Sequence, residues 1–170
     1  GRPTGEGYDA DGRRRGGDPA PAHPPNLILV VIDTLRADAV RKRDGSEGSM
    51  PYLASLAREG TWFQNAAAPA PWTLPSVTSL LTGLLPHVHG CSEGTGVVSL
   101  SPVFTTFAEA LRNGYGYETA AFVGLPAFAE ESTVFQGFSK VTADFSLQAT
   151  ASLVPPWAKG RDARRPFFLL

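Results

Sequence analysis

The sequence predicts a doubly wound α/β fold built on a mostly parallel sheet. Short apolar runs recur along the chain. Leu27-Ile28-Leu29-Val30-Val31-Ile32 is unbroken by charge, Thr119-Ala120-Ala121-Phe122-Val123 repeats the pattern, and Pro166-Phe167-Phe168-Leu169-Leu170 opens a third run inside which the chain ends. Such runs suit parallel strands buried on both faces. Helical patterns with start and stop residues lie between them, and that alternation points to crossover connections.

Taken in order, residues 1–25 are rich in Gly, Pro, Arg and Asp without hydrophobic periodicity. They cannot bury enough apolar surface to offset ordering entropy, so they read as a flexible leader. Arg13-Arg14-Arg15 is a basic contact patch or a solvated tail. Residues 26–170 read as one folded unit, beginning with the strand at 27–32. A helix is predicted over 51–59, with Pro51 in its first turn, Leu53, Leu56 and Ala57 on one face, and Gly60 as its cap. Thr61-Trp62-Phe63 is a predicted strand and 66–72 an Ala/Pro loop. A second helix begins near Leu74 or Pro75, runs to Thr82 and stops at Gly83. A third covers 104–112, because Phe104, Phe107, Ala108 and Leu111 fall at i, i+3, i+4 and i+7, and Asn113-Gly114 ends it.

Composition excludes several classes. Hydrophobic residues are 42% and charged residues 18%, which is globular. A formal net charge of -1 gives no global attraction to nucleic acid or an anionic membrane, so any anion chemistry must be local. No apolar run approaches the roughly 20 residues of a membrane span. The single cysteine, Cys91, excludes an intrachain disulfide framework and reads as an ordinary loop or core thiol.

Three segments carry candidate chemistry. Val31-Ile32-Asp33-Thr34-Leu35-Arg36-Ala37-Asp38 puts a carboxylate at the carboxyl end of a strand, where open α/β sheets bind ligands. Asp33 there is either a hard oxygen ligand for a divalent cation or a cap for the following turn. Pro71-Trp72-Thr73-Leu74-Pro75-Ser76-Val77 puts the Thr73 hydroxyl at a helix N-terminus. That position suits an oxyanion-binding alkoxide nucleophile, but Thr is a common N-cap and capping alone would justify it. Pro86-His87-Val88-His89-Gly90 offers two histidines that could ligate a metal if the segment is extended, or support a turn.

Together these segments resemble the sulfatase family of the alkaline phosphatase superfamily. Asn26 to Ala39, with its Asp33-Thr34-Leu35-Arg36-Ala37-Asp38 core, looks like its opening strand and metal loop, and 70–90 resembles its nucleophile helix with the following Pro-His-x-His-Gly. Glu109-Ala110-Leu111, Gly116-Tyr117-Glu118-Thr119-Ala120-Ala121-Phe122-Val123 and Phe135-Gln136-Gly137-Phe138 match in order. The resemblance covers roughly 26–170 and implies the N-terminal part of a catalytic domain of alkaline-phosphatase/sulfatase type, truncated here. It implies a metal-dependent hydrolase of sulfate or phosphate esters on small molecules, glycans or lipids, in an exported or periplasmic setting.

Residue by residue, the resemblance makes Asp33 and Thr73 metal ligands and Thr73 the nucleophile. Thr34, Arg36, Asp38, Ser76, His87 and His89 become supporting candidates. The cation is calcium, magnesium, manganese or zinc, with further ligands from beyond Leu170, so the fragment alone should be inactive. The pattern departs in three places. A second aspartate of the family would fall on Thr34. Thr73-Leu74-Pro75-Ser76-Val77 replaces the Cys/Ser-x-Pro-Ser-Arg of formylglycine enzymes, and threonine cannot become that aldehyde. Gly124-Leu125-Pro126-Ala127 stands where many sulfatases carry Gly-Lys-x-His. Threonine nucleophiles imply phosphodiesterase-like chemistry as readily as sulfate hydrolysis. A phosphoethanolamine-type transferase and a catalytically degenerate binding module are the alternatives.

Overall fold

Among the described residues, four parallel strands form the sheet: β1 (Leu27–Ile28), β2 (Glu118–Val123), β3 (Lys140–Ala143) and β4 (Phe167–Leu169), in the order β1-β4-β2-β3. The computed structural model describes residues 24–42, 44–91, 99–124, 133–144 and 146–170. The leader up to His23 with its arginine cluster, and Leu125, Pro126 and Ala127, lie outside the described residues. The last strand in sequence is central in space. Phe168 of β4 pairs with Leu27 on one side and Thr119 on the other, while Ala121 of β2 pairs with Val141 of β3. Parallel neighbours require crossovers, and helices supply them, as the alternating pattern predicts.

Those helices are α1 (Ala37–Val40), α2 (Pro51–Glu59), α3 (Thr73–Thr82), α4 (Pro86–His89), α5 (Phe107–Tyr115) and α6 (Leu147–Gly160). One apolar cluster joins Leu74, Val77 and Leu81 of α3 to Ala108 and Leu111 of α5, Ala121 of β2 and Phe168 of β4. Phe168 is 1% exposed and touches the rings of Phe107 and Phe138 at centroid distances of 5.1 and 5.4 Å. α6 packs Trp157 edge-on against Phe122 and Phe167.

Several elements depart from expectation. α5 starts three residues later than its apolar spacing suggests, because Thr106 and Glu109 form a capping box that fixes the first turn. It also runs past Asn113-Gly114 and ends where Gly116 adopts φ 71°, the left-handed cap. The buried residue of α2 is Ala54, whereas Leu56 is 49% exposed. Thr61-Trp62-Phe63 is not a strand, since it has no pairing partner among the described residues and Phe63 is exposed. β1 is short and lies at the edge of the described sheet. Leu27 and Leu29 pack on the core, but Ile28 and Val30 remain 64% and 72% exposed, so burial on both faces does not hold here. Pro25, placed in the leader by composition, accepts a hydrogen bond from the Tyr117 hydroxyl at 2.8 Å.

Candidate active site

The chain leaves β1 and turns at Asp33 and Thr34, beyond the strand's carboxyl end. Thr34 has φ 55°, the left-handed region that a β-branched residue rarely adopts. This turn carries the exposed Asp33 carboxylate toward the start of α3. There the Thr73 hydroxyl donates to Asp33 Oδ1 at 3.1 Å, joining residues 40 positions apart.

Thr73 is not the N-cap. Trp72 holds that position with extended backbone and no side-chain capping bond, and Thr73 is the first helical residue. Its hydroxyl is therefore aimed at Asp33 instead of serving its own helix. The first N–H groups of a helix have no intrahelical acceptor, and the macrodipole makes that end positive. Pro75 contributes no N–H and restricts the backbone of the first turn. Further along, Thr78 donates to the Leu74 carbonyl, and Gly83 closes α3 with φ 69°. Leu74, Val77 and Leu81 bury one face, which fixes the helix and hence Thr73.

The histidine segment folds as the short helix α4 and is not extended, so its two rings do not form a ligand pair. His87 is exposed and His89 is 4% exposed. The Cys91 N–H donates to His89 Nδ1 at 3.1 Å, which leaves the ring proton on Nε2, 3.0 Å from Ser79 Oγ. Burial holds the His89 pKa below its ordinary value, and His87 adds to that effect while the Pro75 backbone opposes it. His89 thus ties α4 to α3 through Ser79. Sequence reasoning passes over its partner Ser79, whose only signal is a small hydroxyl on the buried face of α3.

The remaining supporting candidates separate. Arg36 pairs with Asp38 through two bonds of 2.9 and 2.7 Å, both exposed, and that hydrogen bond lowers the Asp38 pKa. They serve each other rather than the Asp33–Thr73 contact. Ser76 lines an apolar groove of about 450 Å3 with Val31, Ala66, Pro69 and Leu80. Thr34 contributes its strained backbone. Val77, where formylglycine enzymes place arginine, is packed into the core. Among the described residues no three His, Cys, Asp or Glu side chains gather to hold a metal. Asp33 and Thr73 offer hard oxygen atoms, a donor set that fits part of a divalent-cation site.

The parallel sheet with its helical crossovers is consistent with the α/β fold of the alkaline-phosphatase/sulfatase class. The family model described as Sulfatase matches residues 25–160, and the chain belongs to the sulfatase family. Arylsulfatase K of Bos taurus is 29% identical over 113 residues, covering 66% of this chain and 20% of the relative. Steryl-sulfatase of Mus musculus is 34% identical over 116 residues, covering 61% of this chain and 18% of the relative. The multifunctional alkaline phosphatase superfamily protein PehA of Trinickia caryophylli is 34% identical over 100 residues, covering 56% and 19%. The chain spans about a fifth of the length of these curated relatives. No solved structure matches. No helix among the described residues is long and apolar enough to cross a membrane.

Proposed function

We propose that the chain supplies the nucleophile and the first metal ligand of a metal-dependent hydrolase of sulfate or phosphate esters, with Thr73 as the nucleophile. The observation that carries this reading is the 3.1 Å hydrogen bond from Thr73 Oγ1 to Asp33 Oδ1. Asp33 orients the hydroxyl and holds its proton. The N-terminus of α3 favours negative charge developing on Oγ1 and on the transferred group. A divalent cation held by Asp33 and Thr73, with ligands from outside this chain, would lower the hydroxyl pKa and polarise the ester oxygen. Thr73 then forms an ester to sulfur or phosphorus, the substrate alcohol leaves, and water cleaves the ester.

Threonine decides between sulfatase routes. A formylglycine hydrate expels sulfate by collapsing to its aldehyde, and Thr73 has no such path. Phosphate monoesters or diesters therefore join sulfate esters as substrates, a reading in line with the similarity to a multifunctional alkaline phosphatase superfamily protein. Transfer to an alcohol acceptor is the same chemistry with a different second nucleophile.

The test uses a longer polypeptide containing this chain, loaded with calcium, manganese or zinc and given aryl sulfate or aryl phosphodiester. Thr73→Ala is expected to lower kcat by about 10³-fold or more, while Thr73→Ser keeps measurable turnover. Unchanged kcat in Thr73→Ala rejects the nucleophile. No turnover by the wild-type protein with any metal supports a binding module instead.

A further inference from the structure

The start of α3 lacks the devices that usually hold a helix end. Trp72 at the N-cap makes no side-chain capping bond and is 51% exposed. No acidic residue stands in the first turn to meet the macrodipole. Pro75 has no N–H. The Ser76 N–H reaches the Trp72 carbonyl only at 3.4 Å, longer than the roughly 2.7–3.2 Å of ordinary N–H···O bonds. The Thr73 hydroxyl is turned away to Asp33. A missing cap costs a helix about 1 kcal/mol, so this turn needs support from outside its own sequence.

That support comes from α4. The His89 ring is 4% exposed and is engaged at both nitrogens. The Cys91 N–H donates to Nδ1 at 3.1 Å, and Nε2 donates to Ser79 Oγ at 3.0 Å. The Pro75 carbonyl also faces the ring, since it favours the ring's protonated form. Pro75 and Ser79 are four residues apart, about one helical turn, so one side of the ring addresses both. Cys91 is 0% exposed, and Gly90 closes α4 with φ 69°, which fixes the backbone that holds the ring. The grip on α3 therefore falls two residues past Thr73, in the turn that its own sequence leaves weak.

Resting on the hydrolase reading above, we propose that His89 is a positioning residue that fixes the first turn of α3 and, with it, the placement of Thr73 Oγ1 against Asp33. Both ring nitrogens are already engaged, so His89 acts through the helix and not on the substrate. Displacing a reacting group by about 1 Å costs on the order of 10²-fold in rate. A misplaced nucleophile lowers kcat more than it changes KM.

The test uses a longer polypeptide containing this chain, and it reads the helix apart from turnover. By hydrogen exchange, the amides of Ser76 to Ser79 should exchange at least about tenfold faster in His89→Leu, while those of α5 change far less. With metal and aryl ester, kcat should fall about 10- to 100-fold at nearly constant KM. His89→Gln keeps an N–H donor near Nε2 and should recover most of both losses. Gly137→Ala, which destabilises the protein at the α5 cap, should leave kcat unchanged, so lost stability alone does not mimic the effect. Equal acceleration of exchange in α3 and α5 overturns the proposal. So does a folded His89→Leu protein with unchanged kcat, or a His89→Gln protein as impaired as His89→Leu. Thr73→Ala should keep wild-type exchange in α3 whatever it does to turnover, so failure of the nucleophile is read separately from failure of the positioning role. A His89→Leu protein that does not fold is replaced by Ser79→Ala, for which a partial loss of α3 protection is required.

Discussion

At Thr34 a β-branched side chain sits in the left-handed region, one residue after the carboxylate that meets Thr73. Such a conformation costs of order 1–3 kcal/mol and persists where surrounding structure over-determines it. Thr34→Gly relieves the strain but adds freedom to the unfolded chain. The expected net gain is about 0.5–1 kcal/mol by denaturant titration, with a lower kcat because Asp33 is less firmly placed. His89 gives a second prediction at this scale. Its folded pKa lies below the unfolded value near 6.5, so the unfolded chain binds more protons between the two. The stability contribution is fully present above about pH 6.5 and is lost as pH falls toward the folded pKa. The groups near the ring are His87, Ser79 and Cys91. Denaturation midpoints should therefore fall between about pH 7.5 and about pH 5, and less steeply in His89→Gln. The Asp33–Thr73 contact joins two residues that the sequence singles out, one at the end of an apolar run and one at the start of a helix. The pairing of His89 with Ser79 is not legible. A histidine two residues from another looks like a ligand until the backbone between them proves helical.

Elements were legible where local signals agreed. α2 and α3 follow their Pro and Gly punctuation, and β2 its apolar run. α5 shifts because a capping box outweighs a partly apolar preceding turn; Phe104 keeps its core contact without being helical. α6 carries Pro155 and Pro156 in its interior, a pattern that argues locally against a helix, and packing of Trp157 on Phe122 and Phe167 overrides it. The Gln136-Gly137 turn shows tertiary structure setting a residue type. Gly137 has φ 92°, and a Cβ there would lie 2.4 Å from the Glu109 amide nitrogen. The same turn meets the capping box, since Thr106 Oγ1 donates to the Gln136 carbonyl and Gln136 Nε2 to Glu109. Gly137→Ala should destabilise by about 2–4 kcal/mol, read as a lower denaturation midpoint, through loss of a cap and backbone strain together.

For the whole molecule, β4 couples the two ends of the described chain, with β1 and β2 on either side of Phe168. Phe168→Ala removes a fully buried ring and should cost about 3–5 kcal/mol, more than any exposed substitution. The exposed apolar side chains of Ile28 and Val30 could not be read from the sequence, because an unbroken apolar run looks the same at an edge as at a centre. What the whole fold achieves is to bring the turn after β1 against the start of α3, so that Asp33 and Thr73 meet. The most direct measurement of that claim is the covalent intermediate itself. In a metal-loaded longer polypeptide, rapid acid quench after mixing with aryl sulfate or aryl phosphodiester should give a sulfo or phospho mass increment on the peptide containing Thr73. The increment should be absent in Thr73→Ala and strongly reduced in Asp33→Asn. Turnover with the increment on another residue, or with none while Thr73→Ala stays fully active, would contradict the account.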